Sequence, residues 1–276
     1  MHDYLKELLC GFGIEIFAQI KLDSQLIVKP YKLSRAGFDD DKELFAIIFA
    51  VPYLVKNQEK NISAYAFFHD YHLYFKNLFD SIIPKIKEKN PDYSFVGFSD
   101  DSPIDERLAA ASGGLGILGL NGLLITEKYS SYVFLGEIIT DMPLDTKELD
   151  IKKCEGCGNC IRSCPKNECG ICLSELTQKK GVLTEFENLI IQKHGSAWGC
   201  DICQEVCPHT VKAQKAETIY TNIAFFTEKI ISKLSSSDID SMSDEEFSMR
   251  AYSWRKRDTI RRNLLLLESK NDPTSS

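Results

Sequence analysis

The sequence lacks the features of a secreted or membrane-bound protein. Residues 1–21, MHDYLKELLCGFGIEIFAQIK, mix acidic with apolar residues and have no small-residue cleavage site, which predicts an amphipathic helix and not a signal peptide. The longest uncharged stretch, residues 108–126, contains five glycines and is therefore too irregular for a lipid-facing helix. We predict a cytoplasmic protein with no membrane partner.

The sequence also lacks an excess of positive charge. Its 33 lysines and arginines against 40 aspartates and glutamates give a net charge of -7, which argues against a broadly basic surface for nucleic acid. A local exception is RAYSWRKRDTIRR, residues 250–262, which has six basic residues and one acid. This segment is most simply a solvated helix face, and the alternative is a contact with phosphate. Long polar tracts are missing except for the tail ESKNDPTSS, so we expect disorder only there.

The order of apolar patterns predicts an α+β fold. Residues 44–55, LFAIIFAVPYLV, have the continuous apolar character of a strand buried on both faces, which Pro52 would end. Residues 64–90 have apolar positions at helical spacing, and a final helical segment is expected over 244–267. Further short strands are predicted at YSFVGFSD, LLIT and YVFLGEII. The alternation is typical of a mixed α/β layer structure.

Cysteine is concentrated in one part of the chain. Nine of the ten cysteines lie between Cys154 and Cys207, so we place a domain boundary near residue 150. The predicted division is an α/β domain over 1–150, a cysteine-rich domain over 151–215, and a C-terminal helical segment with a disordered tail over 216–276.

The cysteine spacing indicates iron–sulfur clusters. Disulfides are not expected in a cytoplasmic chain, and structural zinc uses cysteines in two pairs. The run Cys154-x2-Cys157-x2-Cys160-x3-Cys164-Pro is that of bacterial [4Fe–4S] ferredoxins, in which the fourth cysteine ligates the other cluster. A second run, GCDICQEVCP, repeats the last three cysteine positions before a proline. We therefore predict two [4Fe–4S] clusters in a ferredoxin-like domain.

Exchange of the fourth cysteines between the two runs gives the ligand sets. The first cluster takes Cys154, Cys157, Cys160 and Cys207, and the second takes Cys164, Cys172, Cys200 and Cys203. Cys169 is an alternative to Cys172, because it lies three residues before it. Cys10 is more simply a small buried hydrophobic residue.

Two weaker motifs have simpler interpretations. Gly114-x-Gly116-x2-Gly119 matches the dinucleotide fingerprint, but a helical pattern precedes it where a strand is required. A glycine-rich loop that lets the backbone approach a large cofactor is the preferred interpretation. His69 and His72 have helical spacing compatible with a metal, yet no third ligand is suggested nearby.

The acidic segment SDDSPIDER, residues 99–107, has the character of a helix N-terminus. Asp101 or Ser102 is the expected N-cap, with Pro103 in the first turn. In a pocket closed by apolar residues, one of these carboxyls would have a raised pKa and serve as a proton donor.

Taken together, the order of segments resembles the epoxyqueuosine reductases. The segments are YAFFHDYH, DDSPIDERLAAASGGLGILGLNGLLI, VFLGEIITDMPL, the ferredoxin run, CLSELTQKKG and GCDICQEVCP, within residues 46–210. The resemblance implies a short member without the helical-repeat extension, with a cobalamin-binding catalytic domain before the ferredoxin-like one, as in reductive dehalogenases. It implies reduction of epoxyqueuosine to queuosine in the anticodon loop of tRNA, with electrons from an external donor such as ferredoxin or flavodoxin.

Two alternatives remain open at this stage. One is a paralogous cobalamin and iron–sulfur reductase with a different, small-molecule substrate. The other is a ferredoxin-type electron-transfer protein that serves a partner.

The resemblance also implies roles for individual residues. The family's acid lies in D-x-x-P-x-x-E-R, which places it at Asp100, with Asp101 as the second candidate. Tyr71 resembles an active-site tyrosine near the substrate. The residues implied to line the cobalamin are Ser63, Asn121 and Ser174.

Overall fold

The computed structural model describes residues 2–39, 41–56, 58–147 and 149–270. It has the predicted α+β character, and the chain divides into two compact units. Unit one comprises the described residues of Met1–Tyr53, His72–Cys157 and Lys212–Ile223, and unit two those of Leu54–Tyr71, Gly158–Val211 and Ala224–Ser276. The three-domain division at 150 and 215 is drawn along the sequence and stays a prediction.

Unit one is built on an antiparallel sheet. Its strands are β1 (Ile16–Lys21), β2 (Phe45–Pro52), β3 (Phe95–Phe98), β4 (Ile117–Leu118), β5 (Leu124–Ile125) and β6 (Val133–Thr140). Its helices are α1 (His2–Cys10), α2 (Pro30–Arg35), α3 (Tyr71–Lys89, whose first residue belongs to unit two) and α4 (Glu106–Ser112). The main sheet has the order β1-β2-β6-β3, and β4 and β5 form a separate hairpin.

Strand β2 is buried along its whole length because helices cover both faces of the sheet. On one face, Ala46, Ile48 and Ala50 pack in a cluster with the three alanines 109–111 of α4. On the other face, the Phe49 ring lies 6.2 Å from the Phe75 ring of α3. The expected doubly buried strand is confirmed, and Pro52 is its last residue.

Several predicted boundaries near the N-terminus are wrong. Helix α1 stops at Cys10, and β1 begins at Ile16, so the helical pattern does not extend through the first 21 residues. Cys10 is exposed and is not a buried hydrophobic residue.

The predicted caps of α4, Asp101 and Ser102, are also wrong. The N-cap is Asp105, whose side chain accepts hydrogen bonds from the N–H groups of Arg107 and Leu108. The chain before Asp105 cannot be helical, because the Pro103 carbonyl accepts the N–H groups of Val28 and Lys29 and holds this segment extended.

Unit two consists mainly of short helices. They are α5 (Asn159–Arg162), α6 (Lys166–Cys169), α7 (Leu173–Thr177), α8 (Glu185–His194), α9 (Ile202–Glu205), α10 (Pro208–Lys215, which continues into unit one), α11 (Ala224–Thr227), α12 (Ser236–Ser241), α13 (Asp244–Ser248) and α14 (Arg257–Lys270). Short 3-10 helices span Ala64–Ala66 and Ser253–Arg255.

The helical segment expected over 244–267 is therefore divided between α13, a 3-10 turn and α14. The end of the predicted disordered tail, residues 271–276, lies outside the described residues. Among the helices that the structure describes, none is long and apolar enough to cross a membrane.

A buried asparagine connects three segments of unit two. Asn263 of α14 donates hydrogen bonds to the Thr177 carbonyl at 2.7 Å and to the Ala197 carbonyl at 2.8 Å. These carbonyls belong to the end of α7 and to the irregular chain before Cys200. A side chain therefore replaces the backbone partners that a regular element would supply.

We predict that Asn263→Ala destabilises the protein by about 1–3 kcal/mol, because it leaves two buried carbonyls without a donor. The midpoint of thermal unfolding should fall by about 2–4 °C for each kcal/mol lost. Asn188→Ala on α8 is the control and should have a much smaller effect. Equal midpoints for the two variants would contradict the assignment of Asn263 as a structural crosslink.

Candidate functional site

The acidic segment after β3 has an unusual backbone conformation at Asp100. Asp100 has a φ of 64°, which is uncommon for a residue other than glycine. Its N–H donates a hydrogen bond of 3.0 Å to Glu106 Oε1. Its side chain is exposed, and His72 Nε2 lies 3.8 Å from Asp100 Oδ2. The Glu106 carboxyl thus stabilises the conformation that presents Asp100 at the surface.

Asp101, the second candidate acid, has a different environment. Lys29 Nζ lies 2.8 Å from Asp101 Oδ1, and Lys32 contacts the other carboxylate oxygen. Hydrogen bonds from these two lysines lower the pKa of Asp101 to about 2. Asp101 is therefore ionised at neutral pH, which disfavours it as a proton donor.

A pair of carboxyls below this segment was missed by the sequence analysis. Glu137 lies in the middle of β6, opposite Ile48 of β2 and Phe98 of β3, and is fully buried. Ser102 Oγ donates a hydrogen bond to Glu137 Oε1. No N–H or O–H donor within the described part of the chain reaches Glu137 Oε2. The neighbouring acid is Glu106, which interacts directly with Glu137.

Burial makes both carboxyls hard to ionise. Burial, with a smaller contribution from the charges of Asp100 and Asp105, raises the pKa of Glu106 to about 7, although the hydrogen bonds with the Asp100 N–H and with Glu137 act in the opposite direction. Burial also raises the pKa of Glu137 well above its usual range, with the Glu106 charge as the next cause. An acid within the apolar stretch YVFLGEII was the signal in the sequence. A charged residue at a doubly buried strand position requires a partner or a proton.

The two Cys-x3-Cys-Pro stretches have the same local structure. Cys160 lies on α5 and Cys203 on α9, and each one-turn helix is followed by a cysteine and a proline at the start of the next helix. Helices α5 and α9 pack against each other, and Asn159 Nδ2 donates to the Val206 carbonyl at 3.4 Å. Unit two therefore contains a structural repeat that matches the repeat in cysteine spacing.

Two of the cysteines assigned to the second cluster, Cys172 and Cys203, lie within electrostatic reach of a third, Cys200. Burial raises the pKa of the Cys200 thiol to about 12, and the charges of Cys203 and Cys172 contribute in the same direction. Cys169 instead directs its Sγ to backbone carbonyls, at 3.1 Å from the Ile171 oxygen and 3.4 Å from the Pro165 oxygen. This arrangement favours Cys172 over Cys169 as a ligand.

The cysteine-rich region fits iron–sulfur binding by its donor set and its repeated geometry. Over the described ranges, no three Cys, His, Asp or Glu side chains meet as the ligands of a single metal ion. The full ligand sets stay a prediction from the spacing.

Ser63 belongs to a polar network beside Cys200. It is buried, and its Oγ donates a hydrogen bond to Asp201 Oδ1. The Ala64 N–H donates to Asp201 Oδ2 at 2.8 Å, and Lys60 Nζ lies 2.6 Å from the same oxygen. Asp201 and Lys60 were missed by the sequence analysis, although an aspartate between two cysteines was visible. The network anchors the chain at Cys200.

The remaining predicted residues lie at defined positions. Tyr71 is the first residue of α3 and is partly buried. Asn121 Oδ1 accepts the Leu123 N–H at 3.2 Å in the β4–β5 turn. Ser174 Oγ accepts a hydrogen bond from Gln178 Nε2 at 3.2 Å. Asp100 and Asn121 belong to unit one, whereas Ser63, Tyr71 and Ser174 belong to unit two.

The glycine-rich loop forms a β-hairpin and not a dinucleotide-binding turn. Helix α4 precedes the loop, as the sequence indicated, and β4 pairs with β5. A Cβ at Gly116 would lie 2.4 Å from the Ile125 carbonyl oxygen, so close packing of the hairpin requires glycine there.

The basic segment is mostly engaged within unit two and is not a freely solvated face. Arg250 is buried and donates to the carbonyls of Phe67 and Lys229. The other internal partners are Met242 for Arg257, Asp240 for Arg261 and Gly181 for Arg262. These arginines stabilise loops, so the expectation of a solvated helix face was wrong.

The geometry defines an α+β protein with a surface acid held by a carboxyl pair and with cysteines that fit iron–sulfur binding. No protein-family model matches the chain. The chain is 29% identical to the epoxyqueuosine reductase of Gloeobacter violaceus over 213 residues, which are 74% of this chain and 65% of that protein. It is 36% identical to the epoxyqueuosine reductase of Aliivibrio fischeri over 163 residues, covering 55% and 43% of the two chains. The chain belongs to the epoxyqueuosine reductase family.

Solved structures show the same fold. The structure of epoxyqueuosine reductase from Streptococcus thermophilus superposes with a TM-score of 0.74 at 19% identity, covering 99% of this chain and 86% of that chain. A crystal structure of epoxyqueuosine reductase with an epoxyqueuosine-modified tRNA-Tyr stem loop gives 0.74 at 21% identity, covering 96% and 81%. The chain spans less than two thirds of the first two relatives by sequence, at 65% and 43% of their lengths.

We predict that Glu137→Gln flattens the dependence of stability on pH. Since the pKa of Glu137 is raised in the folded state, its protonated form favours folding at low pH. This contribution is lost as the pH rises from about 4.5 through the raised pKa. The midpoint of thermal unfolding between about pH 5 and pH 8 should fall less for the variant than for the wild type. The exposed Glu43→Gln is the matched control, and identical profiles for the wild type and Glu137→Gln would refute the assignment.

Proposed function

We propose that this protein is a cobalamin-dependent iron–sulfur reductase that converts epoxyqueuosine to queuosine in tRNA. The observation that carries the proposal is the combination, in one member of this family, of a surface acid fixed by Glu106 with a repeated ferredoxin-type cysteine pattern. A relative of the same fold was crystallised with an epoxyqueuosine-modified stem loop, which supports the substrate. The activity, substrate and partners of the whole protein are part of this proposal.

The proposed reaction assigns a proton-transfer role to Asp100. Conversion of the epoxide to the cyclopentene consumes two electrons and two protons and releases the epoxide oxygen as water. A carboxylic acid beside the departing oxygen supplies a proton to it. Asp100 is exposed beyond the end of β3, and its backbone is held by Glu106, so it is presented to a substrate in a fixed conformation.

Eight cysteines would hold the two [4Fe–4S] clusters in the sets given by the spacing. The proximity of both Cys172 and Cys203 to Cys200 supports the second set. Asp201 lies between two of these residues and is anchored by Ser63 and Lys60, so it would hold the backbone of Cys200 and Cys203 in place for a bound cluster. An external donor such as ferredoxin or flavodoxin would supply the electrons.

A bound cobalamin would supply a cobalt centre that delivers low-potential electrons to the substrate. Asn121 and Ser174 fit the role of polar contacts, because each retains donor N–H or O–H groups beyond the bonds described above. Ser63 directs its hydroxyl to Asp201 and would contribute shape instead of a hydrogen bond. Tyr71 is the proposed contact with the substrate.

A second candidate is a reductase of the same machinery with a small-molecule substrate. The observation that favours it is the engagement of Arg250, Arg257, Arg261 and Arg262 in hydrogen bonds within unit two, which leaves fewer basic side chains of this segment for phosphate recognition. A pure electron-transfer protein would need neither the carboxyl pair nor a corrinoid.

The deciding experiment is an anaerobic assay of the full chain, reconstituted with iron, sulfide and cobalamin, on epoxyqueuosine-containing tRNA. Formation of queuosine, measured after nuclease digestion by mass spectrometry, is the expected result. Cobalamin binding without queuosine formation would favour the small-molecule reductase. Absence of any corrinoid binding would refute both reductases.

We predict that Asp100→Asn lowers turnover about 100-fold or more, because a general acid typically contributes this much. Iron, sulfide and cobalamin contents should equal those of the wild type. Asp101→Asn is the matched control and should retain most of the activity, since Asp101 is ionised by its two lysines. Equal turnover of wild type and Asp100→Asn would show that the proton comes from another group.

We predict that Cys172→Ser loses about half of the iron of the reconstituted protein, because one of two clusters would lack a ligand. Cys169→Ser should keep its iron content, since the Cys169 thiol faces backbone carbonyls. Iron and sulfide analysis with the visible absorption spectrum gives the measurement. The reverse pattern would identify Cys169 as the ligand.

A further inference from the structure

We propose that Glu106 and Glu137 share one proton and that the singly protonated pair is the positioning device for Asp100. The two glutamates do not touch the substrate in this proposal. They act through the Asp100 backbone, so they are positioning residues and not catalytic ones. The inference rests on the proposed function for its consequence in turnover, whereas its structural part can be tested without a substrate.

One oxygen of the buried Glu137 carboxyl has no hydrogen-bond donor among the described residues. Its Oε1 accepts the Ser102 hydroxyl, and its Oε2 has no donor within the described residues. A buried carboxylate oxygen without a donor is strongly destabilising. Glu106 is the adjacent polar group, and as a carboxylate it has only acceptor atoms. A proton between the two carboxyls gives Glu137 Oε2 its missing partner.

The shared proton lies on Glu137, the more deeply buried of the two acids. Glu137 is enclosed by the sheet, whereas Glu106 at the start of α4 is only partly buried. The neutral form is therefore favoured more strongly at Glu137, which donates to Glu106. Glu106 remains a carboxylate, and its hydrogen bond to the Asp100 N–H is then charge-assisted.

The protonation state of the pair affects the segment between β3 and α4. Glu137 binds Ser102, and Glu106 binds the Asp100 N–H, so the pair holds two points of the segment between β3 and α4. Loss of the shared proton places two negative charges side by side in a buried environment. Their repulsion moves Glu106 away and releases the Asp100 N–H from its acceptor.

The charged neighbours of the pair are few. Asp100 and Asp105 come from the segment itself, Arg107 of α4 lies 3.5 Å from Asp105, and His72 of α3 faces Asp100. From the sheet, the residues opposite Glu137 are the apolar Ile48 and Phe98. The acids disfavour a second negative charge at the pair, and no cation of the sheet offsets it among these neighbours.

The structural test uses the full chain without substrate. Infrared spectra in H2O and D2O should show the carbonyl stretch of a protonated carboxylic acid at neutral pH. This band should be lost in Glu137→Gln and unchanged in the exposed control Glu43→Gln. In Glu106→Gln it should persist at a shifted frequency, because buried Glu137 keeps its proton but loses its carboxylate acceptor. A wild-type spectrum without the band, a band that persists in Glu137→Gln, or a band of unchanged frequency in Glu106→Gln would overturn the shared proton.

The positioning role is tested by hydrogen exchange of the peptide that contains Asp100. Glu106→Ala should raise the exchange rate of the Asp100 amide by about tenfold or more, which corresponds to about 1.4 kcal/mol. Glu106→Gln, whose amide oxygen can accept the same N–H, should raise it less. Unchanged exchange in a folded Glu106→Ala variant would overturn the positioning role, and the thermal midpoint of each variant shows whether it is folded.

The consequence for turnover is a change in pH profile. In the wild type, kcat should fall on the alkaline side as the pair loses its proton, with little change in KM. Glu137→Gln supplies a permanent donor to Glu106 and should remove this alkaline fall, with a smaller loss of kcat at neutral pH than Glu106→Ala. Retention of the alkaline fall in Glu137→Gln would overturn the coupling to turnover. If neither the wild type nor any variant forms queuosine, the proposed function fails. The infrared and exchange results still decide the protonation state of the pair in that case.

Discussion

The burial of the Glu137 carboxyl inside an apolar sheet is the constraint on which the acidic site depends. Strand β6 is central, so Glu137 has strands on both sides and no route to solvent for its charge. A carboxyl in this position must be protonated or paired, and the structure provides both a hydroxyl and a second acid. The conformation of the segment between β3 and α4 follows from meeting this requirement.

Unit two also depends on hydrogen bonds from buried polar side chains, which there satisfy backbone groups. Cysteine-rich loops cannot form long hydrogen-bonded ladders, so their backbone groups need partners from side chains. Asp201 accepts the Ala64 N–H, and Asn263 donates to two carbonyls near Cys200. Arg250, Arg257 and Arg262 supply further carbonyl partners. Buried polar residues thus give the short helices of this unit a defined arrangement that apolar packing alone would not specify.

The parts of the fold that the sequence predicted are those in which a local pattern is sufficient. Strand β2 was visible because an apolar run of its length needs cover on both faces, and the cysteine repeat was visible because ligand spacing is a local property. The start of α4 was misplaced because Asp101, Ser102 and Asp105 are all good caps. Backbone pairing of Pro103 with a distant segment decides between them.

Residues with partners far away in the sequence were missed or misread. Glu137 looked like a strand residue, since its partners Ser102 and Glu106 lie 31 or more positions away. The arginines of the basic segment looked solvated, because the acceptors of Arg261 and Arg262 lie on α12 and at Gly181. Charge patterns along a chain identify candidates, but only tertiary structure shows which charges are already paired.

The two adjacent aspartates at the proposed active site likewise differ in their tertiary partners. Asp101 is fixed between Lys29 and Lys32 and is held ionised, so its role is to tie the segment to α2 and the chain before it. The Asp100 carboxylate lies 3.8 Å from His72 Nε2, and its backbone N–H is bound by Glu106, an acid that itself depends on a buried proton. One residue of difference in position therefore separates a structural carboxylate from a candidate acid. The distinction arises from the partners of each residue and not from the motif that contains them both.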